Sequence, residues 1–478
     1  MKTPSLLILP LLLALPGSPA RADTLYYEGW GYWNTPSHWW SDASGTPADR
    51  VPTAETDVVI SGVELRNESS QINTAGVDEI KSLTFDGTQT FGNTQDINFH
   101  DGFTIGGDFY YTSSGTGNML ALVGAGCEFN VGGSFKIDSS NNKKSWVAFF
   151  RQSSSDTRAE RININGDLEI IGGAWQTAAL SLNSKETFVG GKVKLANANS
   201  VLNLTRATKA DSVFTNNFTC GGLDGSGKIT IGATSYGGTG TPTVIQNIIF
   251  ANSTDSSFDG VSKGPYNDPV GNITDASELN IEMNAANPDA VQTLRLKQGS
   301  YATVADNISV KNGFLNLYGD TAFKTLSISG GKFSAAAPAD PGLAPEVGSA
   351  AFGSGLWSGG AIVFDISTAD ASCDKISFSG TFDKAAGSDV SIEFNFDADG
   401  MLELIEMGIS TFEDLITYAE GSSVEGTVLR GVVNGFSYEA VFGATGMDAT
   451  FAKIPEPAVF AAAAGALALA FAACRGRK

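Results

Sequence analysis

From about residue 58 to 335 the chain alternates apolar and polar positions in short runs, and glycine pairs separate one run from the next. The pattern appears as Phe103-Thr104-Ile105-Gly106-Gly107-Asp108-Phe109 and again as Phe129-Asn130-Val131-Gly132-Gly133-Ser134-Phe135. Further copies are Ile162-Asn163-Ile164-Asn165-Gly166-Asp167-Leu168 and Phe188-Val189-Gly190-Gly191-Lys192-Val193, with a later one at Gly227-Lys228-Ile229-Thr230-Ile231. Period-two alternation sends the apolar members to one face and Asn, Thr, Lys or Glu to the other. Glycine pairs admit positive φ, so each is expected to turn a corner between strands.

The first five copies begin roughly 26 to 39 residues apart, a period at which repeated supersecondary units stack on their neighbours. No helical pattern separates the strands, which speaks against βαβ units. The expected fold is all-β: a right-handed parallel β-helix (a β-solenoid) over residues 61–335. A pair of β-sandwich domains is the alternative, since it also shows short alternating strands.

Patterning changes on both sides of this block. Residues 23–60 are aromatic-rich, with Tyr26, Tyr27, Trp30, Tyr32, Trp33, Trp39 and Trp40 followed by Val51-Pro52 and Asp57-Val58-Val59-Ile60. They predict either a cap over the open first coil or a stacking platform for sugar rings. Residues 336–360 are rich in Ala, Pro and Gly and predict a linker. Residues 361–454 return to stronger strands around Ile362-Val363-Phe364, Lys375-Ile376-Ser377-Phe378 and Val390-Ser391-Ile392. Within them Phe412 to Tyr418 is expected as one helical piece capped by Thr411.

The two ends carry targeting patterns. Lys2 precedes the apolar run Leu6 to Leu15, and Ala20-Arg21-Ala22 fits a small-x-small cleavage site before Asp23, so residues 1–22 read as a secretory signal peptide. Residues 455–478 hold Pro455-Glu456-Pro457, an uncharged run from Ala458 to Cys474, and the cations Arg475, Arg477 and Lys478. At about 1.5 Å per residue that run spans roughly 25 Å as a helix, close to a thin hydrocarbon core. A single C-terminal transmembrane helix is therefore expected, with its basic end on the cytoplasmic side.

The order of Pro-Glu-Pro tag, apolar segment and basic terminus resembles the C-terminal sorting signal of the PEP-CTERM family. The resemblance implies export by way of the export machinery and signal peptidase, a transient inner-membrane anchor, and cleavage near the tag by an exosortase. The final location would be the cell surface, outer envelope or extracellular matrix. The tryptophan clusters, proline and Asp-Val-Val-Ile of the N-terminal block resemble the entry segment of autotransporter-like β-helix passengers.

Charge and rare residues narrow the function classes. Without the two targeting segments the net charge moves from −21 to −25, which argues against nucleic acid as a partner and suits an extracellular protein. Only 17% of residues are charged, so the abundant glycine marks corners rather than disorder. Cys127, Cys220 and Cys373 are far apart and odd in number, so no disulfide framework is evident. His38 and His100 are the only histidines, too few for multi-histidine metal sites and read as incidental polar positions.

One spacing points to a metal. Asn395, Asp397, Asp399, Gly400 and Glu406 fall at positions 1, 3, 5, 6 and 12 of a calcium loop, with Leu402 as its apolar eighth residue. Asn stands where Asp is usual, and the preceding segment alternates like a strand. Calcium is thus the candidate ion; no other cofactor is expected. No catalytic constellation is evident. The leading expectation is an exported structural or interaction protein, with surface polysaccharide as a candidate partner. The alternatives are a polysaccharide lyase or hydrolase on a β-helix, and a calcium-dependent adhesin.

Overall fold

The computed structural model describes residues 23–27, 31–60, 71–85, 95–99, 102–112, 118–123, 126–141, 145–149, 158–205, 213–231, 243–262, 277–298, 305–318, 322–336 and 347–455. These form a parallel β-solenoid. In the N-terminal half, Trp39–Trp40 apart, each strand pairs in parallel with the strand three further along the chain, so three strands make one coil and three walls build up side by side. Phe109 thus lies against Leu83 on one side and Phe135 on the other, and Phe135 against Leu168. Parallel pairing between successive coils excludes the sandwich alternative, whose strands pair antiparallel.

The inner faces carry the expected apolar positions. Phe129 lies 4.9 Å from both Phe99 and Phe149, and Phe109 stacks on Phe135 at 4.4 Å with planes 5° apart. All five are buried, and each buried phenylalanine contributes roughly 1.5–3 kcal/mol relative to exposure. Identical side chains on successive coils meet ring to ring because the parallel register stacks them directly.

The glycine pairs do turn corners. Later pairs use the expected positive φ, with Gly222 at 140°, Gly331 at 64° and Gly360 at 75°, but in the early coils neither Gly132 nor Gly133 has it. A Cβ on Gly132 would instead sit 2.1 Å from the carbonyl oxygen of Gly106 in the coil below. Glycine is required there because one corner backbone lies directly on the next.

Two copies of the repeat lie elsewhere than the pattern predicts. Phe188 precedes its glycine pair by one residue fewer than Phe129 does. It therefore pairs with Asn163 and faces outward, 43% exposed, while Thr187 takes the inward position beside Ile162. A one-residue shift exchanges the faces of a strand. Lys228–Ile231 belongs to a different wall, against Ser200–Thr205. The true corner of that coil is Gly221-Gly222, after Cys220, which pairs with Val189.

The solenoid extends well beyond residue 335. Ser349–Ser367, expected in part as linker, is one long strand that crosses two walls. It pairs in parallel with Ala322–Ser334 before it and with Lys375–Phe378, Phe382–Lys384 and Val390–Asn395 after it. Its alanines and glycines serve tight coil contacts: a Cβ on Gly359 or Gly360 would meet the Ser329 or Gly331 carbonyl within 2.6 Å.

Both ends of the stack are covered. At the start, Trp39-Trp40 pairs antiparallel with Asp23–Tyr27 and closes that edge. Trp33 and Trp39 are fully buried, 5.4 Å apart, and the Trp39 indole donates to the Trp33 carbonyl at 2.7 Å. At the other end Thr411–Thr417 adds to the stack beside Lys375–Phe378, then turns the direction of pairing by meeting Gly446–Lys453 antiparallel. Val428–Val433 and Phe436–Phe442 complete this antiparallel sheet. The Tyr438 hydroxyl donates to the Ile392 carbonyl at 2.5 Å and the Asn434 amide to the Phe396 carbonyl at 3.0 Å, meeting the last coil's backbone with side chains.

Two further expectations are corrected here. Phe412 to Tyr418 is strand rather than helix. Its helix-like apolar spacing (Phe412, Leu415, Ile416) arises from a register shift between Phe412 and Ile416, where Asp414 adopts φ 54°. That bulge inserts residues between inward positions. The expected single C-terminal transmembrane helix is not part of the fold shown. Among the described residues no helix is long and apolar enough to cross a membrane, and the one α-helix, α1, spans only Ala398–Glu406. The apolar run from Ala458 to Cys474 lies outside the described residues.

Candidate functional site

The outer surface of one wall carries the most distinctive polar arrangement. Five strands run in parallel there: Val213–Cys220, Thr243–Phe250, Glu278–Asn284, Ala305–Asn312 and the first half of Ala322–Ser334. Phe218, Ile248, Ile281, Ile308 and Leu326 point inward and are buried. The residue before each therefore points out, and those residues are Asn217, Asn247, Asn280, Asn307 and Thr325.

Parallel register aligns them in one column, and they bond to each other. The Asn247 amide donates to the Asn217 side-chain oxygen at 2.7 Å. Asn280 donates to Asn247 and Asn307 to Asn280, each at 2.8 Å, and the Thr325 hydroxyl donates to Asn307 at 2.8 Å. An asparagine amide has two N–H donors and an oxygen that accepts twice. The ladder uses one donor and one acceptor site of each inner member, which leaves one of each for something else.

The column floors a groove of about 380 Å³ whose side is formed by Ile249, Glu282, Ser309 and Ser327. Its carboxylate is neutralised: Glu282 lies 2.7 Å from the Lys311 ammonium, and nearby Glu278 lies 3.7 Å from that of Lys324. The groove is thus an uncharged amide and hydroxyl surface beside half-buried isoleucine. A second concavity, about 450 Å³, lies on the C-terminal sheet around Arg430, Tyr438 and Glu439. There too the charges cancel, with Arg430 2.7 Å from Glu439.

Elsewhere acids and bases pair between coils. Arg161 meets Glu186 and Lys185 meets Glu160 at 2.5 Å, Lys194 meets Asp167 at 2.6 Å, and Lys136 meets Glu169 at 3.3 Å. The Lys194 bond and the backbone N–H of Lys192 hold Asp167 below the usual carboxylate range against its partial burial. No group of three or more His, Cys, Asp or Glu side chains suited to a metal ion occurs among the described residues.

The calcium-loop residues are not brought together. Asp397 is the N-cap of α1 and accepts from the Gly400 backbone N–H at 2.7 Å. Asn395 ends a strand and donates to Asp365 at 2.9 Å. Asp399 lies in the first helical turn and Glu406 at the far end, roughly 13 Å along the axis from the cap at ~1.5 Å per residue. A calcium loop must wrap one point, whereas a helix carries its termini apart. The shared Asp-x-x-Gly spacing is here a cap.

His38 sits in the N-terminal cluster, 6.2 Å from the Tyr27 ring. His100, Ala20, Ala22, Glu456, Pro457, Arg475, Arg477 and Lys478 lie outside the described residues; Pro455 is the last residue within them. Cys127, Cys220 and Cys373 form no disulfide, and burial pushes the Cys220 thiol up to about 12, which makes it inert.

The asparagine column was missed from sequence. Its signal was available as an Asn-apolar dipeptide recurring at intervals of 30, 33 and 27 residues, but alignment across loops of unequal length needed the coil register. Compared with known proteins, the chain matches no family model and no curated sequence.

Proposed function

We propose that this chain is an exported structural or interaction protein that presents a rigid β-solenoid outside the cytoplasm, at the cell surface or in the extracellular matrix. The observation that carries the reading is the groove surface itself. It is built from Asn, Ser and Thr with a single ion-paired carboxylate, a recognition surface rather than a catalytic one. A β-helix lyase or hydrolase needs convergent carboxylates with Lys or Arg poised to act on one bond. Here the acids at the groove, Glu282 and Glu278, are each engaged with a lysine, which supports a scaffold.

Export rests on the sequence patterns at the two ends. Residues 1–22 are the proposed signal peptide, and Pro455-Glu456-Pro457 the tag recognised by an exosortase-type enzyme, as the PEP-CTERM resemblance implies. The acidic, ion-paired surface and capped ends suit a long-lived protein that remains dispersed. Surface polysaccharide is the proposed partner class.

Cell fractionation, with and without residues 455–478, tests this. The full chain is expected in the envelope or extracellular fraction, shortened at both ends, and the truncated chain is expected to leave that location. Recovery of the intact polypeptide in the cytosol, both ends uncut, would overturn the reading.

A further inference from the structure

We infer that the asparagine groove binds a neutral, extended glycan chain lying along the solenoid axis; this rests on the scaffold reading and names its ligand. The first argument is unused hydrogen-bonding capacity. Asn247, Asn280 and Asn307 each keep a donor and an acceptor free of the ladder, held at fixed orientation by their neighbours. A ligand that matches them must offer both a donor and an acceptor at every step. Sugar hydroxyls do so.

The second argument is repetition. Strands in a sheet lie about 4.7–4.9 Å apart, so the column from Asn217 to Asn307 presents the same amide four times over roughly 14 Å, with the Thr325 hydroxyl one step beyond. A repeating polymer meets such a column with one set of contacts per unit. Ile249 beside it supplies one apolar contact, against which the C–H face of a sugar ring packs.

The third argument is charge. Glu282 and Glu278 are paired with lysines at the groove's margin, and the chain as a whole is strongly acidic at −21. An anionic polymer would be repelled at long range and find no unpaired cation among these residues. An extended peptide is less suited, because strand addition needs an open sheet edge and this column lies on a sheet face with strands on both sides.

The test is calorimetric titration of the full chain with neutral glucose hexamers, β-1,4- and α-1,4-linked, and with a hexamer of galacturonic acid. One or both neutral hexamers are expected to bind, and the uronate at least about tenfold more weakly. Asn280→Ala is expected to weaken neutral binding by about tenfold or more, as loss of one placed hydrogen-bonding group implies. Asn130→Ala breaks a different amide pair, in which Asn163 donates to Asn130 at 2.6 Å outside the groove; its affinity should match the unmodified chain. If Asn280→Ala fails to fold, a hexamer-dependent rise in the unfolding midpoint of the unmodified chain carries the test. Absence of neutral binding, stronger uronate or peptide binding, or equal losses in both variants would overturn the inference. Export measured by fractionation is untouched by any of these, so the two readings fail separately.

Discussion

At the residue scale, Asp374 is a side chain whose burial ties stability to pH. Its carboxylate accepts the backbone N–H groups of Gly348 at 2.7 Å and Asp365 at 2.8 Å, and Ser334 lies 3.5 Å away. It is fully buried, and burial raises it from the ordinary value of 3.8 to about 7, outweighing those bonds. Because the folded state holds this proton more tightly than the unfolded chain, its stabilisation is complete below about pH 4 and disappears as pH rises through 7. The loss is on the order of 4 kcal/mol over the whole range at ~1.4 per unit, roughly 2–3 of it between pH 5 and pH 8. Urea unfolding at pH 5 and pH 8 should therefore show a more stable protein at pH 5. In Asp374→Asn most of that difference should vanish, at lower stability overall because one backbone N–H then faces an amide N–H. Asp397 makes a second prediction. As a helix cap, Asp397→Ala should cost about 1 kcal/mol, and by the same amount in calcium and in chelator. A cost seen only with calcium would restore the ion-binding loop. Neither role was legible in the sequence, where Asp374 looks like any turn acid and Asp397 like a ligand.

At the element scale, strand type was readable and strand membership was not. Alternation marked Phe103–Ile105, Glu128–Val131 and Lys375–Phe378 as strands because every second residue meets the core. It could not say that Lys228–Ile231 sits in a different wall from Val213–Cys220, since both alternate equally well. Phe412–Tyr418 shows the converse failure, in which one bulge turns a strand's spacing into a helix's. The antiparallel sheet from Thr411 to Lys453 follows from its position as an end piece. It covers the last parallel coil, whose open edge would otherwise present a row of unpaired backbone groups. A chain ending at Ile409 is expected to self-associate, read by light scattering as mass rising with concentration, while the full chain stays at constant mass. Equal masses for both would show that the sheet is not the cap.

At the scale of the whole molecule, charge and architecture interact. The chain carries a net −21, yet neighbouring coils place bases opposite acids, as in the Lys136–Glu169 and Lys192–Asp224 pairs at 3.3 and 3.2 Å. Exposed pairs of this kind are each worth about 0–1 kcal/mol, while the excess negative charge repels over a screening distance that shortens from ~30 Å at 0.01 M salt to ~8 Å at 0.15 M. The unfolding midpoint is expected to rise by about one degree, roughly 1 kcal/mol for a chain of this size, between 0.01 and 0.3 M sodium chloride. A fall would mean that the ion pairs outweigh the repulsion.

Composition, alternation and glycine pairs were enough to specify an all-β stack, because a period of two and a tight corner are local properties of the chain. The continuation through residues 347–395, the outward turn of Phe188 and the single column of Asn217, Asn247, Asn280 and Asn307 were decided only in three dimensions. Loops of unequal length separate those positions, and which residue lies above which depends on how each coil closes on the one beneath it.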